Sequence, residues 1–352
     1  MNKPSPDRLH AAGFASAFEI GGRPVGAGAP VFFIAEAGVA HFGDMGLARE
    51  LVDLAADSGA DAFKTQFFDV EEMIAGRAPD WRERLRPRNL TLDQALELAE
   101  RCASRDLLFM STAHVESRIP WLEEIGVPAI KVGSGERGNP AFLTKLARLG
   151  KPMIVSTGMY GEVDVIEALE ACRAGGCTEV TLLHCNTAYP TPDGDVNLAA
   201  MDALGGLFDG PVGYSDHTPD FAAILAAVAR GARVIEKHIT ILYDVPNAQD
   251  WKVSAGPKDL AQLVSAIRRT ETLVGHGRKE PSASETQGQA WALKSLVARR
   301  DLPAGHVIVE DDLASKRPGD GILPNRIAEV LGKKLKAPLE ADAPLGLNML
   351  DG

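Results

Sequence analysis

Two histidines follow short apolar runs of the sequence, and their surroundings could hold a metal ion. His217 and His238 each lie at the end of such a run. If the two runs are neighbouring parallel strands, both imidazoles reach the same rim of the sheet, where the carboxylate of Glu36 or Asp250 can approach them. An ion held by few protein ligands keeps positions open for substrate oxygens, as Lewis-acid catalysis requires. The alternative, two hydrogen-bonded histidines of the sheet rim, stays open.

Two lysines inside apolar runs could bind an anionic substrate. Lys64 and Lys131 lie near the ends of their runs, and Ser134 and Ser156 follow in glycine-containing turns. Ammonium and hydroxyl groups together suit phosphate and carboxylate oxygens. Either lysine could instead form a Schiff base with a carbonyl substrate. The adjacent hydroxyls and the candidate metal site favour anion binding.

These side chains need a scaffold that brings strand ends together. Eight short β-rich apolar runs alternate with amphipathic stretches, and they span residues 31–36, 61–66, 107–112, 129–134, 152–157, 179–185, 211–215 and 233–238. Runs that are apolar nearly throughout are typical of parallel strands buried on both faces. Eight strand–helix units of this length predict a (β/α)₈ TIM barrel of the α/β class, with its active site at the C-terminal strand ends. A doubly wound open sheet is the structural alternative.

The composition is that of an acidic globular protein. The 352 residues include 37 Lys and Arg against 48 Asp and Glu, which gives a formal net charge of −11. Without a basic stripe, this charge disfavours nucleic acid as a partner. No apolar run approaches the roughly 20 residues of a membrane span, and no signal-peptide pattern is visible. The four cysteines form no CxxC pair, so we expect a protein of the reducing cytoplasm.

A polar segment separates a second, smaller domain from the barrel. Residues 1–275 are predicted to form the catalytic domain, with 1–30 as an N-terminal extension, and residues 276–290 a linker. Short apolar runs divided by Pro- and Gly-containing turns predict a small β-rich domain over 291–352. The arginine-rich segment 77–88 is expected to be a solvated loop or lid rather than a binding site.

Several motifs, in this order, resemble the sialic acid synthase (N-acetylneuraminate synthase) family. They are AEAGVAHFGD (35–44), FKTQ (63–66), KVGSGE (131–136), VSTGM (155–159), LHCNTAYPTP (183–192), GYSDHT (213–218) and EKHIT (236–240). Residues 295–322 resemble the SAF, or antifreeze-like, domain that follows the barrel in that family. The resemblance covers about residues 30–345.

The resemblance implies a metal-assisted condensation of phosphoenolpyruvate with an N-acylated hexosamine such as N-acetylmannosamine, giving a nine-carbon 2-keto sugar acid and phosphate. It assigns a divalent metal, Mn²⁺ before Mg²⁺ or Co²⁺, to His217 and His238. Substrate binding is assigned by the same resemblance to Lys64, Gln66, Lys131, Ser134, Ser156, Thr187, Tyr189, Ser215, Asp250 and Arg317. The catalytic carboxylates that it implies, for proton transfer and contacts to sugar or water, are Glu36, Glu136 and Glu236.

The sequence departs from the family pattern at three positions. Ala40 stands where the family has an amide side chain, Thr187 keeps a hydroxyl where the family has Asn or Ser, and Trp251 replaces a histidine near the sugar site. The acceptor therefore stays open among acetamido sugars, diacetamido sugars of the legionaminic or pseudaminic type, and unmodified hexoses that would give a deaminated nonulosonate.

The resemblance also implies an assembly. We expect a homodimer in which each SAF domain caps the barrel of its partner and brings Arg317 to a sugar site. Two other functions remain: a Schiff-base lyase acting on the same products, and a non-catalytic sugar-binding protein.

Overall fold

The computed structural model describes residues 10–246 and 248–351, and the chain divides into two compact units at residue 275. The barrel unit contains strands β1 Ala17–Ile20, β2 Arg23–Gly26, β3 Phe32–Gly38, β4 Ala62–Phe67, β5 Leu108–Ala113, β6 Ile130–Val132, β7 Met153–Ser156, β8 Val180–His184, β9 Val212–Asp216 and β10 Val234–His238. Its α-helices are α1 Met45–Asp57, α2 Val70–Met73, α3 Pro79–Leu85, α4 Leu92–Ser104, α5 Ile119–Ile125, α6 Pro140–Ala147, α7 Glu162–Ala174, α8 Asp193–Val196, α9 Ala200–Leu207, α10 Ala222–Ala229 and α11 Leu260–Val274. Among the described residues, no helix is both long and apolar enough to cross a membrane.

Strands β3 to β10 form a closed parallel barrel in sequence order, and β10 pairs with β3 to complete it. This confirms the predicted TIM barrel and excludes the doubly wound sheet, in which the end strands would not meet. The amphipathic helices begin where side chains cap them. Asp44 accepts hydrogen bonds from the first turn of α1, and Thr91 and Gln94 form a capping box at α4.

Alternation along the strands sorts the inward-facing side chains into an apolar layer and a polar layer. The apolar layer consists of Phe32, Ile34, Ala62, Met110, Ala129, Ile154, Leu183 and Val234. The β1–β2 hairpin packs against this layer through Phe18, Ile20 and Val25. Further along the strands the inward positions become polar, so the barrel collects polar groups at its C-terminal end.

The arginine-rich segment 77–88 is helical, which corrects the expectation of a loop. Helix α3 starts at Pro79, a residue suited to the first helical turn, and continues into a 3-10 turn over Arg86–Arg88. Arg82 and Arg86 both pair with Glu71 of the preceding short helix. These ion pairs fix the segment against its neighbour.

The second unit is built from short strands, as the sequence predicts. It contains β11 Ser295–Ala298, β12 Leu313–Lys316, β13 Lys334–Leu335 and β14 Leu350–Asp351, which form two antiparallel pairs. An apolar cluster of its own includes Leu296, Leu313 and Leu345. The predicted domain boundaries stay predictions, but the segment expected as a linker carries the helix α12 Thr286–Ala292. A capping box of Ser282 and Glu285 precedes it.

Candidate active site

A cavity of about 380 Å³ lies at the C-terminal ends of the barrel strands. Most of the side chains that the sequence singles out line this cavity: Glu36, Lys64, Gln66, Lys131, Ser134, Ser156, Thr187, Tyr189, Ser215, His217, Glu236, His238 and Asp250. Barrel pairing explains why they meet. Glu36 lies opposite Lys64 on one side of its strand and opposite His238 on the other. The polar layer of the barrel is therefore the inner wall of the cavity.

Two lysines and two glutamates form a buried charge cluster in this wall. The Lys64 Nζ atom lies 2.7 Å from Glu36 Oε2 and 3.7 Å from Glu236 Oε2, and the Lys131 Nζ atom lies 3.5 Å from Glu236 Oε1. Each of the four side chains is at most 6% exposed. The two positive and two negative formal charges of the cluster balance. Both lysines also line the cavity, where an incoming anion can contact their ammonium groups.

The two lysines respond differently to burial. Burial alone would lower the pKa of Lys64, but the carboxylates of Glu236 and Glu36 outweigh it and raise that pKa. Burial also lowers the pKa of Lys131. Here the carboxylate of Glu236 does not offset the effect of burial, because its nearest oxygen lies 3.5 Å away and the charge of Lys64 acts in the same direction as burial. Burial opposes ionisation of Glu236, yet Lys131 and Lys64 hold the pKa of this carboxyl well below its ordinary value. Glu236 is therefore a carboxylate at neutral pH.

Hydroxyl groups surround the charge cluster. The Lys131 Nζ atom donates to Ser156 Oγ at 2.7 Å, and Ser215 Oγ donates to Glu236 Oε1 at 3.0 Å. Ser134 Oγ accepts a hydrogen bond from the Gly158 backbone N–H at 3.0 Å. These positions give an anion several hydroxyl donors beside two ammonium groups.

Gly158 makes this crowding possible. A Cβ atom at this position would lie 2.5 Å from Thr187 Oγ1, 2.8 Å from Ser134 Oγ and 3.1 Å from Cys185 Sγ. Only glycine therefore lets three strand ends bring these groups together without displacement. Burial raises the pKa of the Cys185 thiol, which suits a small buried apolar residue rather than a nucleophile.

A strand irregularity aims Glu36 into the cavity. The pairing of β3 with β4 shifts register between Glu36 and Gly38, and Gly38 has a φ of 54°. Such bulges redirect side chains next to functional sites. Here the Gln66 Nε2 atom donates to Glu36 Oε1 at 2.9 Å, while Lys64 approaches the other carboxylate oxygen. The carboxylate is therefore oriented from two sides.

The two predicted metal ligands lie side by side. The ring centroids of His217 and His238 are 5.4 Å apart, and the Tyr189 ring lies 4.1 Å from that of His217. The Asn186 carbonyl oxygen lies 2.5 Å from His217 Nδ1 and can only accept, so Nδ1 donates and the Nε2 lone pair is free. Burial and the neighbouring His238 lower the pKa of His217 to about 3, which keeps the ring neutral.

These two imidazoles fit a metal ion that takes most of its ligands from elsewhere. In the part of the chain that the structure describes, the buried Nδ1 of His238 has no hydrogen-bond partner. The same part contains no group of three or more His, Cys, Asp or Glu side chains arranged to hold an ion. The donor set therefore suits an open site completed by substrate or water, with His217 already held in the ligating tautomer.

Residues 51–279 match the NeuB family, and residues 294–351 match the SAF domain. The chain belongs to the NeuB family. This confirms the family predicted from the motifs, and with it the prediction of a phosphoenolpyruvate-dependent, carbon–carbon bond-forming enzyme of the nonulosonate synthase class.

The similarity to individual relatives extends over most of this chain and nearly the whole length of each relative. The N,N'-diacetyllegionaminic acid synthase of Campylobacter jejuni is 40% identical over 85% of this chain and 94% of its own. The human N-acetylneuraminate-9-phosphate synthase is 32% identical over 94% of this chain and 95% of its own. A solved structure, the N-acetylneuraminic acid synthetase of Leptospira borgpetersenii, is 35% identical with a TM-score of 0.73, covering 78% of this chain and 95% of that one.

Two of the residues assigned by family resemblance lie elsewhere. Glu136 is outside the cavity lining, and its Oε2 atom accepts a hydrogen bond from Asn139 at 2.8 Å. Burial raises the pKa of this carboxyl. Arg317 belongs to the second unit, where its guanidinium carbon lies 5.9 Å from the centre of the Trp291 ring. The roles of both residues stay predictions.

Lys237 takes no part in the cavity of this NeuB-family barrel. Its Nζ atom donates to Asp216 Oδ2 at 2.5 Å and to the Thr218 carbonyl at 2.7 Å, and the side chain is fully buried. It is one position away from both Glu236 and His238, so alternation turns it to the opposite face of the strand. This geometry gives Lys237 a structural role.

Sequence reasoning missed the outer wall of the cavity. Four side chains of the arginine-rich segment line it: Trp81, Arg84, Leu85 and Arg88. The spacing of four between the two arginines is a helical signal that could have revealed a shared face. His114 also lines the cavity, and burial together with Lys64 and Lys131 lowers its pKa to about 4. By contrast, Trp251, which departs from the family pattern, is absent from the lining, whereas the preceding Asp250 is part of it.

Proposed function

We propose that this protein condenses phosphoenolpyruvate with the open-chain form of an N-acylated hexosamine, N-acetylmannosamine or a related sugar. The products are a nine-carbon 2-keto sugar acid of the sialic acid type and inorganic phosphate. One observation carries the proposal: the buried, hydroxyl-lined lysine pair Lys64 and Lys131 lies in the same cavity as the imidazoles of His217 and His238. One set of groups suits an anionic enol phosphate, and the other suits a carbonyl oxygen.

The lysine pair and its hydroxyls bind phosphoenolpyruvate in this proposal. Lys64 and Lys131 contact carboxylate and phosphate oxygens, and Ser134, Ser156 and Ser215 add neutral donors. Because these groups are fixed in a buried wall, they stabilise charge redistribution without reorganising during the reaction. Thr187 and Gln66 complete the contacts at the edge of this wall.

The bond changes balance without a redox partner. The C2–C3 double bond of phosphoenolpyruvate supplies the electron pair for a bond from C3 to the sugar aldehyde carbon, and the aldehyde oxygen takes up a proton. Water then adds at C2, and the C2–O bond to phosphate breaks to give the keto group; of the two protons of this water, one ends on the former aldehyde oxygen and the other on the released phosphate. Glu236 accepts a proton from water in this scheme, since its lowered pKa keeps it a carboxylate. Glu36 is the second carboxylate proposed to take part in proton transfer, and the predicted part of Glu136 is a contact to sugar or water.

A divalent metal completes the site in this proposal. His217 and His238 would hold it, with Mn²⁺ preferred over Mg²⁺ or Co²⁺. When bound, such an ion polarises the carbonyl oxygen of the sugar. Tyr189 covers the imidazole pair, and burial raises the pKa of its phenol, so it remains an uncharged contact for the sugar. Asp250 lines the same part of the cavity.

A diacetamido acceptor is the second candidate. It is favoured by the 40% identity to a relative named N,N'-diacetyllegionaminic acid synthase, compared with 32% to the human N-acetylneuraminate-9-phosphate synthase. A pseudaminic-type or a deaminated product would need the same phosphoenolpyruvate half of the cavity, so only the acceptor distinguishes these alternatives.

The assembly and location belong to the same proposal. A homodimer in which each SAF domain caps the partner's barrel would bring Arg317 to the sugar. Cytoplasmic synthesis accords with the four cysteines, none of which forms a disulfide among the described residues.

The deciding experiment measures phosphate release from phosphoenolpyruvate with Mn²⁺ across a panel of hexosamines, with and without a chelator. We expect phosphate and nonulosonate in equal amounts, and loss of both with the chelator. Metal-independent turnover with borohydride trapping at Lys64 or Lys131 would instead identify a Schiff-base lyase. No phosphate with any sugar would contradict the proposal and leave the non-catalytic sugar-binding protein.

A further inference from the structure

The helical arginine segment presents two pairs of arginines on two different faces. Arg82 and Arg86 contact Glu71 through ion pairs of 2.7 Å and 2.6 Å. Arg82 also donates to the Ile74 carbonyl oxygen at 2.7 Å. This first pair therefore has partners within the protein and holds the segment in place.

The second pair faces the cavity. Arg84 and Arg88 both line it, and within residues 10–246 and 248–351 neither guanidinium forms an ion pair or a hydrogen bond. Arg84 is exposed at the cavity, while Arg88 is half-buried. A guanidinium offers five donors in a planar fork. Two such groups at one cavity wall are therefore available to a ligand.

Arg88 is held in position by packing rather than by charge. Its guanidinium carbon lies 4.8 Å from the centre of the Phe42 ring, a cation–π contact. The loop after β3 approaches this turn so closely that a Cβ on Gly43 would lie 1.9 Å from the Pro87 carbonyl oxygen. Gly43 also has a φ of 86°, which favours glycine. The loop and the turn therefore form one preorganised wall.

The cavity has an inner half, lined by side chains of the barrel strands, and an outer half, lined by side chains of the connections after the strands. The balance of positive and negative charges differs between these two halves. In the inner half each lysine lies within 4.0 Å of a glutamate carboxylate. In the outer half the cations Arg84 and Arg88 face a single lining carboxylate, Asp250, with which neither forms an ion pair among the described residues. A neutral sugar bound here would displace water from these guanidinium groups without giving either of them an ion-pair partner.

We propose that Arg84 and Arg88 bind an anionic substituent of the acceptor sugar, a phosphate ester or a carboxylate, at the end of the sugar remote from its aldehyde carbon. This inference rests on the proposed function and narrows it. The paired forks match the oxygens of phosphate or carboxylate. The anion of phosphoenolpyruvate already has its own lysine pair, so the arginines set the class of acceptor.

The test compares three acceptors at saturating phosphoenolpyruvate: N-acetylmannosamine, its 6-phosphate, and the corresponding uronic acid. We expect one anionic acceptor to exceed the neutral sugar in kcat/KM by about 10- to 100-fold, the range for hydrogen bonds to charged groups. Whichever of the two is preferred identifies the anion. The double variant Arg84→Gln/Arg88→Gln should remove this preference by raising the acceptor KM, with the phosphoenolpyruvate KM within about twofold.

Arg86→Gln is the control, since it removes one arginine charge from the other face of the same segment. It should keep the preference for the anionic acceptor. Preference for the neutral sugar, or a double variant that raises the phosphoenolpyruvate KM instead, would overturn the inference while leaving the condensation itself intact. Absence of phosphate release with every acceptor would contradict the proposed function. In that case calorimetric binding of N-acetylmannosamine 6-phosphate decides, because unchanged affinity in the double variant would refute the arginine site.

Discussion

The inner and outer halves of the cavity are built in different ways. The inner half consists of side chains on barrel strands, such as Lys64, Lys131 and Glu236, each at most 6% exposed. The outer half consists of side chains on the connections after the strands, such as Arg84 and Asp250. Strand side chains are fixed by the pairing of the whole barrel, whereas connections can change with little effect on the barrel.

This difference separates two chemical tasks. The inner half offers the groups that a phosphoenolpyruvate condensation needs irrespective of the second substrate. The outer half has its own cations, its own carboxylate and an aromatic rim at Trp81. We therefore interpret the inner half as the place of bond formation and the outer half as the means of choosing the acceptor. The predictions below separate the two.

The largest effect is expected at the metal position of the inner half. His217→Ala should lower the rate of phosphate release by at least about a thousandfold, because carbonyl polarisation supplies several kcal/mol and each 1.4 kcal/mol is tenfold. It should also weaken Mn²⁺ binding, measured by calorimetry with the metal alone.

A buried histidine outside the pair provides the control for this change. His184 ends β8, and its Nε2 atom lies 2.7 Å from the Val196 carbonyl oxygen. His184→Ala should retain the Mn²⁺ affinity. A His217→Ala enzyme with near-normal rate and metal affinity would contradict the assignment of His217 as a metal ligand. It would also contradict the interpretation of the inner half as the place of bond formation.

An intermediate effect is expected where strand ends crowd together. Gly158→Ala forces a Cβ against Thr187 and Ser134, so we expect about 1–3 kcal/mol lower stability from overpacking. The phosphoenolpyruvate KM should rise about tenfold, the equivalent of roughly 1.4 kcal/mol, and more than the acceptor KM.

Gly206→Ala in α9 is the matched substitution, since an added Cβ there meets nothing within 4 Å. It should gain up to about 1 kcal/mol as a helical alanine. Thermal unfolding and substrate titrations check both variants. If Gly158→Ala raised the acceptor KM alone, the hydroxyl cluster would belong to the outer half.

The smallest effect is expected from the second unit. Arg317→Ala should raise the acceptor KM by up to about tenfold and the phosphoenolpyruvate KM less, since one charge-assisted contact is removed. Arg326→Ala, which breaks an ion pair with Glu329 in the same unit, should leave both KM values near wild type. The opposite order of KM changes for Arg317→Ala would contradict its placement at the sugar.

The strands of the barrel could be predicted because their signal is local. The run 31–36 is apolar until Glu36, and the structure has β3 at Phe32–Gly38. Buried parallel strands carry this pattern in any surroundings. The residues of the inner half could be predicted from these strands, since polar residues at the C-terminal ends of parallel barrel strands must meet at one rim.

The outer half could not be predicted in the same way, because its positions depend on contacts distant in sequence. Arg82 and Arg84 are the same residue type two positions apart, yet one pairs with Glu71 and the other faces the cavity. Composition suggested a solvated segment, and only the packing of α3 sorts the two faces. Glu136 illustrates the reverse case. Its motif places it beside the cavity residue Ser134, but a short 3-10 turn directs its carboxylate towards Asn139.

The closure of the barrel has a consequence for how the protein is made. His238 on β10 lies opposite Glu36 on β3, about 200 residues earlier in the chain. A nascent chain that ends before Val234 has β3 and β9 as open sheet edges, with unpaired backbone groups that can join other chains. Catalytic competence and protection from aggregation therefore arrive together, with the last strand. A ligand that contacts both sides of this seam binds only the closed barrel and stabilises it by mass action.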